Sequence, residues 1–210
     1  MKRALFFDLD GTLWDAIEPL KDSWNATMKE AGQDRVFSYA EMKSYMGLTP
    51  EETVPLAFPF ADKETGIRLF ARCLKEEIAY LSQHPGTLYP REKEVLRVLK
   101  KSYPLYVVSN SGKGYIENYL SACSTAPYFK GRLCAGDTQK DKWENIRILM
   151  EREGLDEVIY IGDTEKDRIQ SEKAGVPFIH AAYGFGKVPE AEYSIESLSE
   201  LPAEVKKIFR

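Results

Sequence analysis

The sequence predicts an α/β fold: a three-layer core around a central parallel sheet, with an α-helical module inserted after the first strand. Three observations carry this. Short apolar runs alternate with amphipathic segments of helical length from about residue 86 onward, the pattern of a parallel sheet covered on both faces. A matching run, Ala4-Leu5-Phe6-Phe7, opens the chain inside "RALFFDLDGTLWD". Residues 16 to about 83 contain no convincing strand and read as helices.

The elements follow in order. Residues 4 to 8 form the first strand. Ile17, Leu20, Trp24, Met28 and Ala31 recur at spacings of three and four, one face of a helix. Ser38 to Glu41 and Thr49 to Glu52 are capping-box patterns, the second with Pro50 at the first helical position, and Gly47 stops the chain between them. Ile67, Phe70, Leu74, Ile78 and Leu81 mark a fourth helix, ended by His84-Pro85-Gly86. Helix over 92–101, with Val95, Leu96, Val98 and Leu99 inward, leads to the strand Leu105 to Val108. A helix with Ile116, Tyr119 and Leu120 follows, then a brief strand at Leu133-Cys134. The helix from about Trp143 to Glu153 precedes the strand Val158 to Ile161. A last helix ending at Ala174-Gly175 leads to a strand over 176–179. The domains are accordingly 1–15 with 84–210 as the α/β core, and 16–83 as the helical insertion.

Composition excludes several function classes. With a net charge of −4, the chain has no basic excess to attract nucleic acid or an anionic membrane. No apolar stretch approaches a membrane span, and the start lacks the basic-then-apolar layout of a signal peptide. Cys73, Cys123 and Cys134 are widely spaced without a CxxC pair, which points to a reducing cytoplasm and against a disulfide framework. His84 and His180 are the only histidines, too few for a histidine metal cluster. A monomer or dimer is expected.

The chemistry collects at strand ends. "ALFF" runs into Asp8-Leu9-Asp10-Gly11-Thr12, "LYVV" into Ser109-Asn110-Ser111-Gly112, and "VIYI" into Gly162-Asp163-Thr164 with Asp167 four residues on. Ligands of open parallel sheets bind beyond these carboxyl ends. Each ending taken singly reads as a polar turn. Four aspartates at two strand ends on the same edge of the sheet would repel, and a hard cation bound by oxygens, such as Mg²⁺, is the natural compensation. A carboxylate-held Mg²⁺ suits phosphoryl transfer, with one aspartate as nucleophile and another as general acid and base. A lysine to hold phosphate is available in Lys140 or Lys142.

On these residues the chain resembles the haloacid dehalogenase-like hydrolases. Asp8-Leu9-Asp10-Gly11-Thr12-Leu13 looks like the family's first motif, Ser109-Asn110 its second, and Gly162 to Asp167 its fourth. The resemblance implies a Rossmann-like core and a helical cap, with Asp8 as nucleophile and Asp10 as general acid/base. Mg²⁺ would be held by the Asp8 carboxylate, the Asp10 main-chain carbonyl and Asp163, with Asp167 supporting. Ser109, Asn110, Gly11 and Thr12 would meet the phosphorylated substrate. The third-motif lysine is taken as Lys142, because "KWENIRILMEREGL" resembles that segment in phosphoglycolate phosphatase-like members; Lys140 is the alternative, since the frequent Lys-Pro pair is absent. Cap contacts are expected from the turn Gly47-Leu48-Thr49 with Lys43 and Tyr45, and from Trp14 at the hinge.

The expected function is a Mg²⁺-dependent phosphatase for a small phosphomonoester, phosphoglycolate-like or a sugar or nucleotide phosphate, through an aspartyl phosphate. Dehalogenases and phosphonate hydrolases resemble the first motif without its second aspartate, and Asp10 is present. Phosphomutases carry a histidine in the cap's first helix, and residues 1–83 contain none. A pyrophosphatase, and a binding protein that kept the fold without turnover, stay open. A phospho-accepting receiver domain is disfavoured because "VVSN" ends without an aspartate.

Overall fold

A computed structural model of the chain describes residues 1–209. The sheet has six strands, all parallel: β1 (Arg3–Phe7), β4 (Leu105–Ser109), β5 (Gly131–Cys134), β6 (Glu157–Gly162), β7 (Phe178–Ala181) and β8 (Tyr193–Ile195), in spatial order β5-β4-β1-β6-β7-β8. β1 lies in the middle, with Phe7 opposite Val107 on one side and Ile161 on the other. The strand that carries Asp8 is therefore bracketed by those that carry Ser109 and Asp163.

The sheet is buried on both faces, and the two-residue period divides its side chains. Leu5, Phe7, Val107 and Ile161 pack on one side with α5 (Glu92–Leu99), α6 (Tyr115–Ala122) and α10 (Leu201–Ile208). Ala4, Phe6, Tyr106, Val108 and Tyr160 pack on the other with α8 (Lys142–Glu153) and α9 (Glu165–Ala174). A short α7 (Ala135–Thr138) joins β5 to α8. Burial of these large side chains is the main stabilising term, at about 25 cal/mol per Å² of apolar surface.

Between β2 (Trp14–Asp15) and β3 (Thr87–Leu88), which form a small antiparallel ribbon, stand α1 (Ile17–Glu30), α2 (Tyr39–Tyr45), α3 (Pro50–Ala57) and α4 (Lys63–Gln83). Both predicted capping boxes close as expected at Ser38/Glu41 and Thr49/Glu52. Trp24 anchors this module, stacked on Phe58 with Phe37 and Phe70 edge-on. Among the described residues, no helix is long and apolar enough to cross a membrane.

Three details of the sequence reading need correction. Ile67 and Val98, expected inward, are 49% and 52% exposed. On α4 the buried stripe is Gly66, Leu69, Cys73, Glu77 and Leu81, which shares Leu81 with the expected apolar positions and otherwise runs one residue before them. The last core strand expected over 176–179 starts at Phe178, because the Val176 N–H is spent on Ser171 O to close α9 and Pro177 has none to give.

Candidate active site

Asp8 leaves β1 with its backbone N–H still donating to Ile161 O at 2.8 Å, so the first residue past the strand is as fixed as the strand itself. Its Oδ1 lies 2.9 Å from Lys142 Nζ, which also sits 2.6 Å from Asp167 Oδ1. Lys142 opens α8 and is 2% exposed. The other Asp167 oxygen, Oδ2, accepts from Thr164 N at 3.0 Å and Thr164 Oγ1 at 2.6 Å, the capping box of α9. One carboxylate thus starts a helix and binds the buried lysine. Asp163 follows β6, with Oδ2 accepting from Phe185 N at 2.7 Å. Asp8, Asp163 and Asp167 are all buried and offer oxygens within 4.8 Å of one another, a set that would hold a divalent cation.

The charges do not balance inside the protein. Three buried carboxylates share one ammonium. Burial, reinforced by repulsion from Asp167, pushes the Asp8 carboxyl up to about 7, against the pull of Lys142. Burial and the Asp167 and Asp8 charges drive Asp163 well above the carboxylate range. For Lys142, burial works against the ammonium, yet Asp167 and Asp8 outweigh it and hold the group protonated. A doubly charged cation among these oxygens would remove the penalty.

Asp10 is directed elsewhere. Its Oδ1 accepts from Trp14 Nε1 at 2.9 Å and Tyr115 OH at 2.8 Å. Burial raises the Asp10 carboxyl to about 6 despite those two donors. Trp14, expected at the hinge, is fully buried and fixes this carboxylate. Tyr115 was not among the sequence candidates; its position on a helix face reads as core.

Gly11 and Thr12 build the loop rather than face a ligand. Gly11 N donates to Trp14 O, Thr12 N to Leu9 O, and Thr12 Oγ1 to Asp163 Oδ1 at 3.3 Å, so the donors expected for substrate are already used. Gly11 adopts φ +79°, and a Cβ there would run into the Asp163 carboxylate and the Phe185 ring. Gly11→Ala is expected to lower Tm by roughly 2–8 °C from the backbone term alone. Thermal unfolding of the two proteins checks it; an unchanged Tm refutes this packing.

Ser109 ends β4, Asn110 and Ser111 follow it, and with Asp8, Asp10 and Lys142 they form the core side of a cleft of about 710 Å³. Ser109 Oγ accepts from Ser111 N at 3.2 Å. Ser111, read from sequence as turn, has a buried Oγ without a partner among the described residues. Lys140 reaches the cleft rim but pairs with Glu144 at 3.0 Å and is half exposed, whereas Lys142 contacts Asp8. His180 is buried at the end of the sheet, 3.5 Å from Ser194, and stands outside the cleft lining.

Residues 5–181 match the haloacid dehalogenase-like hydrolase family. The chain belongs to that family. The Photorhabdus laumondii phosphoglycolate phosphatase is 29% identical, the match covering 87% of this chain and 81% of that protein. The Vibrio parahaemolyticus phosphoglycolate phosphatase is 26% identical, with 95% and 94% covered. A haloacid dehalogenase-like hydrolase from Streptococcus pneumoniae shares the fold with a TM-score of 0.84 at 22% identity, covering 100% of this chain and 99% of that one. This hydrolase thus combines a six-stranded parallel α/β core with a buried cluster of aspartates at its strand ends.

Proposed function

We propose that this hydrolase is a Mg²⁺-dependent phosphatase that cleaves a small phosphomonoester through an aspartyl phosphate on Asp8. The observation that carries it is the cluster Asp8, Asp163 and Asp167, with oxygens within 4.8 Å and one lysine among them. An all-oxygen donor set with excess negative charge fits Mg²⁺. Asp8, Asp163 and the Asp10 carbonyl would hold the ion, with Asp167 behind them; when bound, it neutralises phosphate charge and orients the phosphoryl group.

The chain's own residues supply the rest. An Asp8 oxygen attacks phosphorus as the bond to the leaving oxygen breaks, and Asp10 delivers the proton that oxygen needs. Asp10 then takes a proton from water, which attacks phosphorus, breaks the acyl–phosphate bond and restores Asp8. A carboxyl near 6 suits both directions of transfer, and Trp14 and Tyr115 fix its orientation. Lys142 and Ser109 hold phosphoryl oxygens, aided by Asn110 and the unpartnered Ser111 hydroxyl. Residues 16–83 act as the cap. Asn110 Nδ2 donates to Gly47 O at 3.5 Å, and Lys166 on α9 pairs with Glu52 on α3 at 2.5 Å. Such closure excludes water from the acyl phosphate. The three cysteines are free and buried.

The test is phosphate release from a panel of phosphomonoesters and pyrophosphate, with Mg²⁺ and with chelator. Release with Mg²⁺ that falls to background with chelator is expected. Release indifferent to chelator refutes the metal-dependent scheme, and a preference for pyrophosphate reassigns the substrate class.

A further inference from the structure

The cleft of about 710 Å³ is far larger than a phosphate group needs and falls in the range of sites that enclose a whole small-molecule ligand. Its core end carries Asp8, Asp10 and Lys142, the phosphoryl machinery, and every lysine of the lining. The helical module builds the other end, with Leu20 and Trp24 from α1, Met42 from α2, and Phe70 and Leu74 from α4. Leu20, Trp24 and Met42 are buried, whereas Phe70 and Leu74 are only half-buried and keep apolar surface for the cleft. This wall is continuous with the reaction centre. Gly47, between the lining residues Met46 and Leu48, accepts at its carbonyl from Asn110 Nδ2 at 3.5 Å.

Three hydrogen-bond donors of the wall are spent inside the module. Trp24 Nε1 donates to Glu77 Oε2 at 2.7 Å, Tyr45 OH to Leu56 O at 3.5 Å, and Thr53 Oγ1 to Thr49 O at 2.9 Å. No lysine or arginine of the module lines the cleft. Of its two acids, Glu51 is exposed to solvent on the first turn of α3. Glu77 is buried, and burial raises its carboxyl to about 8, which leaves it uncharged at neutral pH. A ligand rich in hydroxyls would exchange water here for few protein partners, at a cost. An alkyl group surrenders no hydrogen bonds and gains by burial.

Resting on the phosphatase reading above, we propose that the preferred substrates are phosphomonoesters whose leaving alcohol carries an extended apolar group, seated against Leu20, Trp24, Met42, Phe70 and Leu74. The phosphoryl group lies at the core end, and the apolar group extends into the helical module.

The experiment compares kcat/KM for ethyl, butyl and hexyl phosphate with that for sorbitol 6-phosphate, which bears hydroxyls along the carbon chain of hexyl. The simple alkanols leave with similar chemistry, so differences among their esters report the fit of the chain. Each added methylene should raise kcat/KM about threefold to fourfold, which places hexyl phosphate roughly 100-fold above ethyl phosphate. The gain should appear in KM, because the contact is made equally in the ground and transition states. Sorbitol 6-phosphate should fall well below hexyl phosphate. Phe70→Ser and Leu74→Ser, both at half-buried positions, should each reduce the hexyl-to-ethyl ratio by about fivefold or more. A merely structural defect lowers both esters together and leaves that ratio intact. Equal turnover of ethyl and hexyl phosphate, sorbitol 6-phosphate at or above hexyl phosphate, or a ratio unchanged in both variants overturns the proposal. If no ester is turned over, the phosphatase reading fails on its own. Calorimetric binding of the same esters then decides the selectivity: affinity that rises with chain length upholds it, and affinity indifferent to length refutes it.

Discussion

Asp8→Asn is expected to abolish phosphate release while making the metal-free protein more stable at pH 8. The loss of turnover should be on the order of 10⁴- to 10⁶-fold, the scale seen when a nucleophile is removed from a cooperating set. The gain in stability follows from the charge imbalance. Burial and Asp167 raise the Asp8 carboxyl from 3.8 to about 7, so the folded state binds this proton more tightly than the unfolded chain. For a carboxyl shifted upward, stability falls as pH rises from the unfolded value through the folded one. Above pH 7 the native protein bears the full penalty, and near pH 5 most of it disappears. Asparagine keeps the shape without the charge, so its advantage in Tm should be present at pH 8 in chelator and fade toward pH 5. Mg²⁺ should raise the Tm of the native protein at pH 8 more than that of the variant. A variant that melts below the native protein at pH 8 in chelator contradicts the electrostatic account; one that retains turnover contradicts the nucleophile.

The strand ends were legible because they obey local rules. A buried parallel strand has to be an apolar run, and the polar residues that end it are visible as a break in that run; Asp8, Ser109 and Asp163 were found this way. The capping boxes at Ser38 and Thr49 are equally local, each a contact between residues three apart. Lys142 is a candidate through the resemblance of its segment and Asp167 through its place four residues after Asp163, yet their contact joins residues 25 apart in sequence, and no spacing rule reports it.

What escaped the sequence depends on direction rather than identity. Gly11 and Thr12 stand beside the site in sequence, but the loop turns their donors inward onto Trp14, Leu9 and Asp163. Trp14 and Tyr115 read as core aromatics, which they are; the hydrogen bonds from their polar atoms to Asp10 needed the fold. Glu77 was hidden by the helical pattern itself. Apolar residues at 67, 70, 74, 78 and 81 suggest one inward face, while packing against α1 turns a neighbouring stripe, which shares only Leu81 with it, fully inward and carries a carboxylate with it. Tertiary contact decides the rotation of a helix when two stripes compete.

Lys142→Met carries the largest expected cost in stability. The ammonium is buried and contacts Asp8 and Asp167, so methionine, of similar length, removes the charge while filling most of the space. Breaking a buried pair by removing one partner typically costs about 3–5 kcal/mol, because the remaining charge is left without compensation. Here three carboxylates are left, which lie within 4.8 Å of each other. For a chain of this size the expected fall in Tm is roughly 6–20 °C. The pH dependence has a definite sign. Without Lys142 the folded carboxyls bind protons still more tightly, so the deficit should be greatest above pH 7 and shrink as the solution approaches pH 5. Mg²⁺ should recover part of it by replacing the missing positive charge, but turnover should stay low because the phosphoryl group loses a partner. Lys140→Ala provides the contrast: its pair with Glu144 is exposed to solvent, and the variant should melt and turn over as the native protein does. Thermal scans at pH 5 and pH 8, with Mg²⁺ and with chelator, separate the two lysines. Equal Tm losses for both, or a Lys142→Met deficit that grows toward low pH, would mean that the buried lysine is not what balances these carboxylates.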